Sequence, residues 1–200
     1  MAKSQAKSGN IDYTGRAFHQ DATEAMRGDI VRGLIELITN SDDAYASLDG
    51  LKQGKITVEV EHRRNQPWHV VVRDRANGMS AATMEKRLAR LGGRTSGFET
   101  GENRRGNLGR GAKDLAAFGT VTFESINEGN YAKFILYPDG RWELDREREA
   151  KDEDRKRTGI SRGSGTVVTV EVAAGIRCPQ HETLYRRLIG HFQLRDILSD

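Results

Sequence analysis

The chain has 200 residues, of which 36% are hydrophobic and 30% are charged, a length and a composition typical of a single soluble domain. Its net charge of +3, from 32 basic and 29 acidic residues, is too small to indicate a nucleic-acid-binding surface by itself. The only cysteine, Cys178, excludes an internal disulfide and favours a reducing cytoplasm, and no apolar run is long enough to span a membrane.

The N-terminal part of the chain begins with small polar residues and then becomes strongly periodic. Residues 1–10 lack the apolar core of a signal peptide, and we expect residues 1–20 to form a flexible tail. From about residue 23 to residue 48, apolar side chains recur at helical spacing, which predicts one amphipathic helix.

Three polar residues share one stripe of this predicted helix. Glu36 and Asn40 are four residues apart and Asp43 is three further on, whereas Tyr45 belongs to the opposite, apolar face. An ordinary solvated helix face would give the same pattern. An asparagine in mid-helix is a poor helix former, however, which favours a functional stripe.

Two predicted strands follow, and the second ends in an acidic residue. Residues 55–61 alternate apolar with polar side chains, as in a half-buried strand, and residues 69–74 are more continuously apolar, as in a central one. Asp74 closes the second strand before a turn that contains Gly78. A carboxylate in this position either accepts a hydrogen bond from a ligand in a pocket or caps its own turn.

A glycine-rich segment separates the two halves of the chain. Ser80 is a predicted N-cap of a helix, and residues 92–111 (GGRTSGFETGENRRGNLGRG) form a predicted long loop, which in a compact domain is either functional or disordered. The glycines that end this loop allow close backbone approach to a phosphate, and Arg110 and Lys113 add positive charge. The spacing differs from that of a P-loop.

The second half of the chain is mostly predicted strands. A short helix is expected at residues 112–118, strands at 120–125, 131–137, 141–144 and 165–172, an exposed charged loop at 145–162, and a helical segment from 179 to the end. Helices followed by strands without regular βαβ alternation predict an α+β, two-layer sandwich rather than a Rossmann fold.

Four segments, in this order, resemble the motifs of the GHKL ATPases, the Bergerat-fold family of DNA gyrase B, MutL, MORC proteins, the ninety-kilodalton heat-shock chaperones and histidine kinases. Residues 36–44 resemble the N-box, residues 74–79 and 106–111 the two glycine boxes, and residues 165–170 the Gly-Thr box. The resemblance implies a mixed, mostly antiparallel sheet covered on one face by helices, with an ATP-binding domain at residues 21–178, an ATP lid at 92–111 and a C-terminal helical segment at 179–200.

The resemblance also implies a nucleotide site. Asp74 would accept from the adenine amino group, supported by Thr166, and would thereby reject guanine. Asn40 would hold Mg²⁺, and Glu36 would polarise the attacking water, as in the hydrolysing branch of the family. The implied nucleotide contacts are Asn40, Asp43, Asp74, Gly78, Met79, Thr95, Ser96, Gly106, Leu108, Gly109, Arg110, Gly111, Ala112, Lys113 and Thr166.

One residue departs from the family pattern. Ala76 stands where the first glycine box usually has a glycine. If the backbone at this position required a positive φ, alanine would be strained there, and the geometry around the adenine would change.

The function implied is slow, Mg²⁺-dependent ATP hydrolysis that drives a conformational or dimerisation switch. Two alternatives stay open: a histidine-kinase-like domain that transfers phosphate to protein, and a module that binds ATP or ADP without turnover. Hydrolysing members use a following domain that donates a lysine to the γ-phosphate. Because the sequence stops at Asp200, we expect an N-terminal fragment or a separate partner; nucleic acid is a further possible partner, and a membrane is not expected.

Overall fold

A computed structural model describes residues 7–10, 15–48, 54–62, 64–89, 111–195 and 197. Its strands form one open sheet of order β1-β6-β5-β4-β8-β3-β2, with β7 paired to β5, and every pairing described is antiparallel. The strands are β1 Lys7–Asn10, β2 Thr57–His62, β3 Trp68–Arg73, β4 Gly119–Asn127, β5 Asn130–Leu136, β6 Arg141–Leu144, β7 Arg148–Glu149 and β8 Gly165–Val172.

Helices pack on one face of this sheet and bury the main core. The helices are α1 Gly15–Met26, α2 Ile30–Ala46, α3 Ala81–Leu88, α4 Gly111–Asp114, α5 Asp152–Thr158 and α6 His181–Ile189. Alternate residues of the central strands, such as Val70 and Val170, meet α2 residues such as Leu34 in one apolar cluster. Leu34 is fully buried, and truncating such a leucine to alanine costs roughly 2–5 kcal/mol. The fold is therefore the predicted α+β two-layer sandwich.

The N-terminal region differs from its prediction in two ways. Residues 7–10 form β1, which pairs with β6, and α1 begins at Gly15, so that the predicted tail of residues 1–20 is wrong for these parts. The single helix predicted from residue 23 is also wrong, because it breaks at Arg27 and Gly28, which have φ of 50° and 68°. Asp29 then caps α2 by accepting a hydrogen bond from the Val31 N–H at 3.1 Å.

Residues 145–162, predicted to be an exposed charged loop or hairpin tip, are mostly exposed, but they are not an irregular loop. They contain β7 and α5, and α5 lies on the sheet face opposite the other helices, over a small second core that includes Ile160. Arg148 donates two hydrogen bonds to the buried Asp154, at 2.6 and 2.9 Å, and holds the pKa of that carboxyl well below its usual range. A run of charges thus became a paired network, which the charge pattern alone does not reveal.

Most other elements agree with their predictions. β6 and β8 have the predicted bounds, and β2, β3, β4 and β5 differ from theirs by a few residues at either end. Ser80 caps α3 as predicted, since its hydroxyl accepts from the Thr83 N–H at 3.2 Å. The predicted lid lies outside the described residues except for its last residue, Gly111.

Candidate functional site

A cavity of about 300 Å³ lies between α2 and α3. Because α2 packs on β3 and α3 packs on β5, the strands between them, β4 and β8, provide the floor through Phe123 and Val168. Several residues predicted from the motifs line this cavity together: Asn40, Asp43, Asp74, Gly78, Met79, Ala112 and Thr166. Its volume is at the lower end of the range of small-molecule sites.

Asp74 is the most constrained polar residue of this cavity. It follows β3 and is 6% exposed; its Oδ1 accepts from the backbone N–H groups of Ala76 (3.0 Å) and Thr166 (3.2 Å). Its Oδ2 accepts from the Ser41 hydroxyl at 3.1 Å. Asp74 therefore caps its own turn and also lines a pocket, and Oδ2 retains capacity for a further donor. Burial raises the pKa of Asp74, although the three hydrogen bonds oppose this effect.

The turn after Asp74 accommodates Ala76 without strain. Gly78 has a φ of 68°, and a Cβ at this position would overlap the backbone oxygen of Ile126. Ala76 is buried and is not among the described non-glycine residues with positive φ. The departure from the family pattern therefore falls where the backbone does not require glycine.

Two residues that the sequence did not indicate hold this turn in place. The Ser125 hydroxyl accepts from the Met79 N–H at 2.7 Å and lies 2.9 Å from the Gly165 carbonyl, to which it donates. The Tyr45 hydroxyl accepts from the Arg75 N–H at 2.7 Å and donates to the Lys55 carbonyl at 2.8 Å. Tyr45 is thus not only an apolar residue of the opposite helix face, as predicted, since its hydroxyl fixes the start of the turn.

Asn40 carries an unsatisfied polar atom. The residue is 8% exposed, and its Oδ1 is buried without a hydrogen-bond partner in the described part of the chain. Such a buried oxygen is unfavourable unless a ligand or ion satisfies it. An amide oxygen is a ligand type that Mg²⁺ accepts, so Asn40 fits the ion that the family pattern implies.

Glu36 lies in a different cleft from Asp74. It is half-buried and lines a neighbouring cavity together with Arg32, Gly111 and His191. A Cβ at Gly111 would lie 2.6 Å from Glu36 Cγ, so α4 begins in direct contact with this side chain. Burial raises the pKa of Glu36. Although Glu36 and Asn40 are one helical turn apart, only Asn40 shares the cavity of Asp74.

The other predicted phosphate contacts divide into two groups. Lys113 is 2% exposed in α4 and is not among the residues that line the cavity of Asp74; burial lowers its pKa to about 8, although neighbouring Asp114 opposes this. A second group lies outside the described residues: Thr95, Ser96, Gly106, Leu108, Gly109 and Arg110.

Helix α3 contributes a wall of the cavity that was not predicted. Thr83 and Arg87 are four residues apart on this helix, and both line the cavity. No local pattern predicts either residue as part of a site. The direction in which a short helix turns its polar side chains depends on the packing of Met84 and Leu88 beneath it.

Comparison with known proteins identifies one family. A family model described as histidine kinase-, DNA gyrase B- and HSP90-like ATPase matches residues 30–135, just over half of the chain. No curated protein matches the chain. In the described residues no helix has both the length and the hydrophobicity that crossing a bilayer requires.

Proposed function

The chain belongs to the histidine kinase-, DNA gyrase B- and HSP90-like ATPase family, and on this premise we propose that it binds ATP with Mg²⁺ and hydrolyses it slowly. The observation that carries this proposal is the convergence of Asn40, Asp74 and Thr166 on one cavity between α2, α3 and the sheet. Three distant parts of the sequence supply an amide, a carboxylate and a hydroxyl to a site of ligand size.

Asp74 selects the base in this proposal. Its Oδ2, which already accepts from Ser41, has a second acceptor position for the exocyclic amino group of adenine. Guanine presents a carbonyl at the equivalent position, and two acceptors would then oppose each other in a buried site. Gly78 and Met79, which line the same cavity, pack against the base.

Asn40 binds the metal ion in this proposal. Its unsatisfied Oδ1 gains a partner when Mg²⁺ is bound, which offsets the cost of burying that oxygen. The ion, when bound, would neutralise part of the negative charge of the phosphates. Asp43, about one turn further along α2, lines the same cavity and would contribute a carboxylate on the side of Asn40.

Glu36 is the general base for hydrolysis. Its carboxylate accepts a proton from water while the water oxygen bonds to the γ-phosphorus and the bond from that phosphorus to the β,γ-bridging oxygen breaks, releasing ADP. Burial raises the pKa of Glu36, which brings its basicity closer to that needed near neutral pH. We also assign phosphate contacts to Thr95, Ser96 and Arg110 of the predicted lid and to Lys113 of α4.

A module that binds nucleotide without turnover is the second candidate function. The observation that favours it is the position of Glu36, which lines the cavity next to that of Asp74 rather than the same one. The conformational or dimerisation switch that we propose requires a further step. Binding of the nucleotide must bring Glu36 and the end of the predicted lid close to the phosphates, and formation of an ATP-dependent homodimer or binding of a partner domain would show that this has happened.

Calorimetric titration with a non-hydrolysable ATP analogue and Mg²⁺ tests binding. We expect saturable binding of the ATP analogue and of ADP and none of GTP, together with weaker binding by Asp74→Asn. The exposed Asp145 provides a matched control, since Asp145→Asn removes the same charge outside the cavity. Equal affinity for both variants would remove Asp74 from the site.

Turnover is tested on the same protein. Phosphate release from ATP, with label found only in inorganic phosphate, is the expected result and separates hydrolysis from transfer to protein. Sedimentation with and without the analogue measures dimerisation. Binding without phosphate release, in the presence of Mg²⁺ and at dimer-forming concentration, would instead establish the second candidate function.

A further inference from the structure

The charges around the cavity are unequally distributed between its two walls. Among the described residues that line it, Asp43 and Asp74 are acidic and lie on or next to α2, whereas Arg87 on α3 is the single Lys or Arg. The polyphosphate of a nucleotide carries several negative charges, so the acidic wall repels it unless cations compensate. Arg87 is therefore the described lining residue that can offset the negative charge of the phosphates.

The position of Arg87 along α3 also corresponds to the phosphate end of a nucleotide. The proposed function places the base beside Met79, and Arg87 follows Met79 by eight residues. Helix α3 begins at Ala81, and a rise of 1.5 Å per residue over the six residues from Ala81 to Arg87 places Arg87 about 9 Å further along the cavity wall than the start of the helix. A nucleotide extends over a comparable length from its base to its phosphates, so a side chain at residue 87 lies beyond the ribose.

The packing of α3 fixes which of its two adjacent cations faces the cavity. Met84 and Leu88 are fully buried and anchor the helix on the sheet. Thr83 and Arg87, on the next face, line the cavity, whereas Lys86 is exposed and is not among the lining residues. Arg87 is half-buried, and its planar guanidinium presents five N–H donors that match phosphate oxygens.

We propose that Arg87 is a specificity-determining residue that binds the phosphates of the nucleotide from α3, so that affinity rises with the number of phosphates. The proposal rests on the proposed function, because it needs a nucleotide in this cavity. It adds a phosphate contact on α3, apart from the residues of the predicted glycine-rich lid.

The test compares Arg87→Ala, Arg87→Lys and Lys86→Ala in the full chain by calorimetry, with adenosine, AMP, ADP and a non-hydrolysable ATP analogue, each with Mg²⁺. Loss of a charge-assisted hydrogen bond in Arg87→Ala is expected to weaken ADP and analogue binding about 10- to 100-fold. Adenosine affinity should stay within about twofold of wild type. Lys86→Ala removes an equal charge from the neighbouring exposed position and should change every affinity by less than about threefold.

Arg87→Lys keeps the charge but lacks the planar guanidinium that binds two phosphate oxygens at once, so its affinity for ADP should lie between those of wild type and Arg87→Ala. It also remains informative if Arg87→Ala unfolds, which thermal melting of each variant will show. The proposal is overturned if both Arg87 variants bind ADP as tightly as Lys86→Ala does, or if they lose adenosine and ADP equally. If wild-type protein binds no adenine compound, the proposed function itself fails, and it fails before any variant is compared.

Discussion

Asp74 and Glu36 are both carboxylates partly or wholly withdrawn from water, and burial raises the pKa of each, but their surroundings differ. Asp74 accepts three hydrogen bonds, from Ser41, Ala76 and Thr166, which fix both of its oxygens. Glu36 has no hydrogen bond to the described residues and is held by packing against Gly111. The comparison indicates that the cavity of Asp74, where we propose that the base binds, is preorganised, whereas the neighbouring cavity of Glu36, where we propose that hydrolysis takes place, is held less tightly.

The largest expected effect comes from a substitution of Glu36, which should impair hydrolysis and leave nucleotide binding unchanged. Glu36→Gln keeps the size of the side chain and removes its basicity, so phosphate release should fall about 10²- to 10⁴-fold, the usual contribution of a general base. Affinity for the ATP analogue should change by less than about threefold. Single-turnover phosphate release measures the first quantity and calorimetry the second. The exposed Glu182 provides the control substitution Glu182→Gln, and equal rates for the two variants would exclude Glu36 as the base.

The next largest effect is expected from a substitution of Asp74, which should weaken binding of the nucleotide base. Asp74→Asn replaces a charged acceptor by an amide, and the loss of about 1.5–3 kcal/mol for one charged hydrogen bond corresponds to roughly 10- to 150-fold weaker nucleotide binding. Turnover at saturating ATP should fall less than it does in Glu36→Gln. If Asp74→Asn instead lowered the maximal rate while affinity stayed constant, the roles assigned to the two carboxylates would have to be exchanged.

A smaller effect is expected when the hydrogen bonds that hold the turn after Asp74 are removed without a change of charge. Ser125 is fully buried, and its hydroxyl joins the turn at Met79 to β8. Ser125→Ala leaves the Met79 N–H without this partner and should lower the free energy of unfolding by about 0.5–1.5 kcal/mol, measured by urea denaturation. Ser161→Ala, at an exposed position, is the control and should be neutral. Nucleotide affinity should follow stability in Ser125→Ala.

The smallest expected effect is a shift in the pH dependence of the hydrolysis rate. Glu36 acts as a base only when it is deprotonated, and its pKa is raised by burial, so the rate should fall with decreasing pH at values above those of an ordinary glutamate. For stability the sign is the opposite: a raised carboxylate pKa favours folding at low pH, and this contribution is lost as pH rises through the folded pKa. A pH–rate profile of kcat checks the first statement, and its acidic limb should disappear in Glu36→Gln.

The parts of the fold that were predictable are those with local patterns. The strand at β8, the N-cap at Ser80 and the polar stripe of α2 were each predicted from residues that are near one another in the sequence. The family motifs then indicated that Asn40, Asp74 and Thr166 share one site, and all three line one cavity. The break at Arg27 and Gly28 is not evident from the pattern, because the apolar period continues across it and a single glycine is a weak stop signal.

The parts that were not predictable depend on contacts between distant segments. Ser125 matters because the β4–β8 register sets it opposite Thr166, a pairing that no local signal specifies. The separation of Glu36 from Asp74 has a similar cause, since the helical period places Glu36 and Asn40 on one stripe but does not show that Gly111 packs against Glu36. The role that we propose for Arg87 depends on the walls of the cavity, which come from segments far apart in the sequence.

The contact between Gly111 and Glu36 makes the two a mechanical interlock. Gly111 is both the last residue of the predicted lid and the first residue of α4, and it has no side chain to keep the chain away from the Glu36 carboxylate. Any movement of the start of α4 that displaces this glycine must alter the space around the Glu36 carboxylate. If Glu36 is the base that we propose, the rate of ATP hydrolysis will depend on the position of α4.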